Sequence, residues 1–397
     1  MKIKAKNIFT ILFLLCVSTI HAAKPLSEQA QINFLIGAPN NTSVFSIFGH
    51  ASLRVNDPEL GIDYIFNYGV FDNSNVENIL QLIKGNLYCE LWVYDTKSYL
   101  EKSRQAGIEQ KEHVLNLLPE EKETLWEQLI DMGKNKKKYK YDIFRTNCAT
   151  LPLMSVGLSV AGKIQFDDTV DWPRGSYSSF TKPYLEIYPW PHFLGFLFFG
   201  GSIYQPLSFT ETLFLPYYLE AAFERAEIVS ETGNRPLIVS SSTIVEGRPL
   251  ILAPAFLTPM LVGWSLFGLV LLLSLWEWKK KRYFRLIDCI LFGAAGLFGL
   301  LLFLLNTVFA EWYTTFNYNL IWLHPLHLLA VLFFARKKWD KPAYYYHWFN
   351  LATLALGAIL VLNLGISTKL ITVTASYMLI LATRSIFGLI RTSKNKK

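Results

Sequence analysis

A cysteine and a histidine, far apart in the chain, are the residues whose types suit nucleophilic catalysis. Cys148 stands in Arg145-Thr146-Asn147-Cys148-Ala149-Thr150, and His50 in Phe48-Gly49-His50-Ala51-Ser52-Leu53-Arg54. A thiol attacks well only as the thiolate. A working cysteine therefore needs an imidazole beside it and gains from a helix N-terminus beneath it, both of which lower its pKa. The sequence offers both. His50 opens a strand-like run, and Cys148 lies between an aromatic, strand-like run (139–144) and a segment of helical character (149–158). In that arrangement Cys148 is the nucleophile and His50 the base. The Cys148 backbone amide would stabilise an oxyanion, with Asn147 or a tyrosine, Tyr68 or Tyr141, as second donor. The competing reading is a disulfide between Cys89 and Cys148, the two cysteines of the globular region. A base-bearing strand and a helix start make sense around a free thiol, so both cysteines are expected to be unpaired.

Positioning these groups requires a sheet. The runs 50–55 and 62–68 flank Asn56-Asp57-Pro58-Glu59-Leu60-Gly61, whose composition is turn chemistry, and are expected to pair as a hairpin. With the turn centred between Pro58 and Glu59, cross-strand residue numbers add to about 117, which sets Asn67 opposite His50 as the amide that holds the imidazole in its reactive tautomer. A slip of one residue would turn Asn67 to the other face and leave it a strand-end cap. Helices are expected over 76–84, 96–105 and 119–133, the last with Pro119-Glu120-Glu121 as its start, and a strand over 87–94. The lysines at 134 and 136–138 read as a solvated helix end. Within the aromatic stretch 190–218, the apolar run 193–199 is too short and too glycine-terminated to span a bilayer. It either dips into the bilayer surface or forms a buried loop.

Composition divides the chain. Of its 397 residues 52% are apolar, and the excess lies after residue 256. Residues 1–23, with lysines at 2, 4 and 6, an apolar core and Ala22-Ala23, read as a secretory signal peptide. Five apolar runs, 256–278, 286–310, 319–335, 344–364 and 370–390, are each near the length a bilayer demands. Basic clusters follow the first, third and fifth, the positive-inside pattern of cytoplasmic loops. The expected organisation is a leader (1–23), a periplasmic domain (24–255), a five-helix membrane domain (256–390) in the inner membrane, and a cytoplasmic tail (391–397). The formal charge of +7 is then topological, since 24–255 alone carries 20 Lys+Arg against 27 Asp+Glu, which argues against nucleic acid as a partner. No motif asks for a cofactor or a metal. Arg384 is expected to snorkel to the interface. His324 and His327 belong at the outer end of the third span, either as functional groups or as interfacial anchors.

A base that precedes the nucleophile, with a polar residue on the neighbouring strand, is the order of the circularly permuted papain-like (NlpC/P60-like) hydrolases and acyltransferases. It gives an α+β expectation for the periplasmic domain and acyl transfer through a thioester as the chemistry. The stretches 48–54, Asn67-Tyr68-Gly69-Val70-Phe71-Asp72, 139–150, Phe214-Leu215-Pro216 and Asn319-Leu320-Ile321-Trp322-Leu323-His324-Pro325-Leu326-His327 together resemble the DUF4105 family, which includes the Lnb-type lipoprotein N-acyltransferases. The resemblance implies a membrane-bound thiol enzyme that takes an acyl chain from a phospholipid and places it on the N-terminal amine of a diacylglyceryl-cysteine lipoprotein. It implies His50 as base and Cys148 as nucleophile. Two other classes use the same pieces. A cell-wall peptidase or amidase would add a polar groove for peptide, and a non-catalytic assembly factor would not need the thiol.

Overall fold

The computed structural model describes residues 25–394 apart from 44, 72–74, 168–171, 251–254 and 310, so the expected leader (1–23) and the last tail residues (395–397) lie outside the described residues. In chain order the strands are β1 (Gln31–Gly37), β2 (His50–Asp57), β3 (Ile62–Val70), β4 (Tyr88–Asp95), β5 (Gln110–Leu115), β6 (Tyr139–Lys140), β7 (Lys163–Gln165), β8 (Glu227–Ser230), β9 (Gly233–Pro236) and β10 (Ile238–Val245). Seven of them form one antiparallel sheet in the order β10-β5-β1-β2-β3-β4-β6, and β7-β8-β9 form a small second one. β1 sits near the middle and is buried from Ile32 to Gly37, as a strand covered on both faces must be. β2 alternates instead. Ala51, Leu53 and Val55 join the core. On the opposite face Arg54 pairs with Asp63 at 2.7 Å and with Glu112 at 2.8 Å.

The β2–β3 hairpin forms where the sequence places it, but two residues out of the expected register. Leu53 faces Phe66 and Asp57 faces Ile62, which carries Asn67 past His50 to a place beside Ser52. The cause is the Asp57 carboxylate, which accepts the backbone N–H of Glu59 and of Leu60 and so shifts the turn onto Pro58–Gly61. Gly61 closes it at φ +66°. Because side chains alternate with period two, an even slip leaves Asn67 on the same face as His50.

The helices of this region are α1 (Val76–Ile83), α2 (Thr96–Ala106), α3 (Pro119–Lys134), α4 (Thr150–Ser159), α5 (Tyr177–Leu185), α6 (Pro189–Phe198), α7 (Phe209–Thr212) and α8 (Pro216–Phe223). α3 starts with Pro119 in its first turn, and the Glu121 carboxylate accepts the Leu118 N–H at 2.8 Å. Its Leu125, Trp126 and Leu129 pack with Leu53 and Phe66, while Phe223 of α8 meets Phe34 of β1 with ring centroids 4.7 Å apart.

Beyond residue 258 the chain is helical: α9 (Pro259–Lys280), α10 (Arg285–Thr307), α11 (His327–Ala335), α12 (Asp340–Asn363) and α13 (Thr368–Lys394). Among the described residues four helices are long and apolar enough to cross a bilayer, not the five expected. The third expected span, 319–335, is broken into a 3-10 turn (Tyr318–Ile321), an irregular stretch and the nine residues of α11. Pro325 is the physical reason, since it lacks an N–H and disfavours helix in the residue before it. The segment still runs between the two ends of the bundle. Asn319 donates to the Phe196 carbonyl at one end, and the Phe334 carbonyl accepts from Arg285 at the other. Gly296 and Gly299 of α10 let this irregular backbone close in, since a Cβ on Gly299 would stand 2.6 Å from the Leu323 carbonyl oxygen.

Arg384 does not snorkel. It is fully buried, with Asp288 at 2.5 Å, Glu277 at 2.6 Å and the Ser274 hydroxyl at 2.9 Å. His324 and His327 are likewise interior. Their rings stack at 4.1 Å, and His327 is held by the Trp322 carbonyl at 2.9 Å and the Tyr346 hydroxyl at 2.6 Å.

The apolar run 193–199, left between surface dip and buried loop, is largely α6. Phe193, Phe196 and Leu197 bury themselves among the membrane helices, with Phe193 stacked on Tyr377. The carbonyls of its last turn, which a helix leaves without partners, accept from two asparagines. Asn319 donates to Phe196 O at 2.9 Å, and Asn317 to Leu197 O and Phe198 O at 2.8 and 3.1 Å. Gly200 and Gly201 then pass flat against Thr315 and Tyr318.

Candidate active site

The end of β2, the bulge of β3 and the entry to α4 meet at one point. His50 is the first residue of β2, and the turn before it depends on Gly49, whose φ is +81° and whose Cβ would lie 2.8 Å from the Gly37 carbonyl oxygen. Asn67 lies where the β3–β4 pairing slips between Asn67 and Val70. Gly69, at φ +74°, would press a Cβ to 3.0 Å from the Tyr141 ring and 3.7 Å from Cys148 Cβ, so its lack of a side chain leaves the room in which the cysteine sits. Cys148 itself lies two residues ahead of α4.

The imidazole of His50 is held from one side and engaged from the other. Its Nε2 and the Asn67 Oδ1 are 2.7 Å apart, which makes Nε2 the protonated nitrogen. Cys148 and His50 share a hydrogen bond and an attraction of opposite charges. Burial pushes the Cys148 thiol up, but the His50 charge and hydrogen bond, with the backbone amides of Ala51 and of Cys148 itself, outweigh it and bring the thiol below its ordinary range. Burial likewise works against the His50 cation, yet Cys148 and the Asn67 hydrogen bond hold the imidazole above its ordinary value. Each group thus favours the charged form of the other, the thiolate of Cys148 and the imidazolium of His50. Cys89 shows the contrast. It is buried without a base, and burial alone pushes it up to about 12. Neither cysteine is in a disulfide.

Asn147 is placed differently from expectation. Its Nδ2 donates to the carbonyls of Ile143 (2.8 Å) and Phe214 (3.0 Å), and its Oδ1 accepts from the N–H of Ala149 and Thr150. Both amide hydrogens are used, so the side chain has none for an oxyanion and instead fixes the loop that presents Cys148. Tyr68 is turned away as well, with its hydroxyl 2.8 Å from Ser155. Tyr141 remains in the wall of the site. The Ala51 amide, which sequence reasoning missed, faces the sulfur beside that of Cys148. A backbone donor leaves no mark on residue type.

Cys148 opens into a cavity of about 510 Å³. Its walls come from both halves of the molecule: Phe45 and Phe48 near His50, Ile79 and Ile83 of α1, Leu194 and Phe196 of α6, and Leu370 at the start of α13. The lining is overwhelmingly hydrocarbon, which suits an alkyl chain better than a peptide. Among the described residues one group has metal-like spacing, His113, Glu220 and Glu224, and none of the three lines the cavity. Lys111 already sits 3.1 Å from Glu220, so a cation is in place without a metal.

Two family models match this chain, one described as the Lnb N-terminal periplasmic domain over residues 27–181, the other as the Lnb transmembrane domain over residues 252–396. The chain belongs to the Lnb family. The first match contains His50, Asn67 and Cys148, and the second contains the whole helical bundle. An Lnb-type protein thus joins a mixed α/β periplasmic domain to apolar membrane helices, and here α6 and the loop 311–319 are the joint. No curated protein and no solved structure matches the chain.

Proposed function

We propose that this Lnb-type protein is a thiol acyltransferase that moves an acyl chain from a membrane phospholipid to the N-terminal amine of a diacylated lipoprotein. The observation that carries the reading is a cysteine and a histidine, each favouring the other's charged form, at the mouth of an apolar cavity walled in part by Leu370 at the start of a membrane helix. The domain is read as a permuted papain-like fold, because base, orienting amide and nucleophile appear in that order on strand, strand and helix start. The basic loops orient the bundle, with the α/β domain outside the inner membrane and the C-terminus in the cytoplasm.

In the first half-reaction the Cys148 sulfur attacks the ester carbonyl carbon. A C–S bond forms and the C–O bond breaks. The leaving alkoxide takes the proton from His50 and departs as a lysophospholipid. The oxyanion formed on the way is held by the amides of Cys148 and Ala51, with Tyr141 nearby. In the second half-reaction the lipoprotein amine attacks the thioester, His50 takes its proton, and the C–S bond breaks to restore the thiolate. Asn67 keeps the ring in one orientation throughout. The hydrocarbon lining keeps water from the thioester in the interval. A peptidase would need polar groups to bind peptide backbone, and this cavity has few.

The test is incubation of the purified full chain with phospholipid and a diacylated lipopeptide. The expected result is a third chain on the lipopeptide and an acylated Cys148 when the amine is omitted, both by mass spectrometry. No third chain from folded protein would overturn the reading.

A further inference from the structure

A second cavity, of about 420 Å³, lies at the end of the bundle opposite the α/β domain, where α9 and α13 end. Its lining combines Lys281, Arg282 and Arg391 with the apolar Trp278, Phe387 and Ile390. Charge near it does not balance. Arg285, Arg384 and Arg391 are matched by Glu277, Asp288 and Asp340, leaving Lys281 and Arg282 without a carboxylate among the described residues. Hydrogen bonding does not balance either. Among the described residues, Arg391 Nε and Nη1 and the Tyr283 hydroxyl, in the wall of this cavity, are buried donors with no acceptor. The Arg391 guanidinium lies 3.6 Å over the Tyr283 ring, which fixes its plane, and its Nη2 is 3.3 Å from the Asp340 carboxylate.

Buried donors without acceptors are costly, and a guanidinium fork backed by a net positive rim is what recognises a phosphate. The depth fits a lipid. Arg384 lies seven residues, about 10 Å, inward of Arg391 along α13, so the cationic groups span the zone where headgroups meet hydrocarbon. Trp278 is more than half exposed and is of the residue type that prefers that zone. We propose that this cavity binds the phosphate of an anionic phospholipid in the leaflet opposite the α/β domain. Arg391, Tyr283, Lys281 and Arg282 contact the phosphate, and Phe387 and Ile390 lie along the start of its chains. The site is separate from the thiol and independent of the acyl-transfer reading.

The test follows thermal unfolding and native mass spectra of the full chain in neutral detergent, with added phosphatidylglycerol, phosphatidylcholine or inorganic phosphate. Phosphatidylglycerol is expected to be retained and to raise Tm at concentrations at least about tenfold below those phosphatidylcholine needs. The variant Lys281→Gln/Arg282→Gln, which breaks no ion pair, should lose that preference, and Tyr283→Phe should weaken it. Equal effects of the two lipids, a preference that survives in both variants, or an equal shift with inorganic phosphate at the same concentration would each overturn the lipid site.

Discussion

The two poles of this molecule bury polar groups on opposite terms. At the outer pole a neutral thiol and a neutral imidazole become an ion pair when one proton moves between them, and each has few other partners. At the inner pole Arg384, Asp288 and Glu277 carry fixed charges, and Arg384 is within 2.6 Å of both carboxylates. The outer group stands beside empty apolar space, and the inner one is packed between three long helices. Reactivity needs an ion pair that can be remade and a void for the partner molecule. Cohesion needs one that cannot be undone without leaving a bare charge in low dielectric.

That contrast can be broken at either pole. The largest effect is expected from Cys148→Ser, which keeps shape but removes the ionisable nucleophile. Transfer to the lipopeptide should fall by about 10⁴-fold or more with folded protein undiminished by circular dichroism. A variant active at the wild-type rate would remove the distinction. Arg384→Ala should leave Asp288 and Glu277 uncompensated and cost about 3–5 kcal/mol in denaturant unfolding in micelles. Exchanging all three for apolar residues of similar volume should recover most of that loss, because the cluster serves packing and not chemistry. Asn67→Ala should slow transfer by about 10- to 100-fold, a share of the 10²–10⁴ that acid–base catalysis contributes. Stability should change little.

Two smaller effects sharpen the picture. Asn319→Ala strips an acceptor of its donor at the joint between the halves and should lower stability by about 1–2 kcal/mol, measured by unfolding. The last is a pH profile. A thiol pKa that is lowered keeps the thiolate at lower pH, so the alkylation rate of Cys148 should reach half its maximum below the ordinary thiol range. In His50→Gln only the opposing burial and the backbone amides remain, and the midpoint should move upward. Cys89, pushed up to about 12, should stay unlabelled in folded protein and serves as the internal control.

Residue types pointed to Cys148 and His50, which the fold brings together, because a thiol and an imidazole are chemically distinctive, and the hairpin around His50 was legible from its turn. The register was not, because Asp57 captures two amides and moves the turn, an interaction that depends on side-chain geometry rather than on composition. Asn67 survived that error only because the slip was even. Asn147 was misread for a general reason. An asparagine beside a nucleophile can donate to substrate or to the loop, and only the positions of the Ile143 and Phe214 carbonyls decide. β5 and β10, absent from the sequence reading, have polar, alternating sequences that acquire meaning only beside β1. Length and hydropathy suggested a third span through Pro325, where local geometry prevailed. Arg384 read as a snorkelling side chain because its two carboxylates lie on other helices, about a hundred residues away in sequence.

The clamp that Asn317 and Asn319 place on α6 also sets an order of assembly. A ribosome releases α6 long before those asparagines, and at about 5–20 residues per second the wait is on the order of ten seconds. Through that time Phe193, Phe196 and Leu197 have no bundle to bury them, and the carbonyls at the end of the helix have no donors. The outer domain therefore cannot mature when it emerges. Its helix α6 is completed only when the C-terminal half has been inserted, so residues 24–255 made alone should be prone to aggregation, and supplying 252–397 as a separate chain should rescue them.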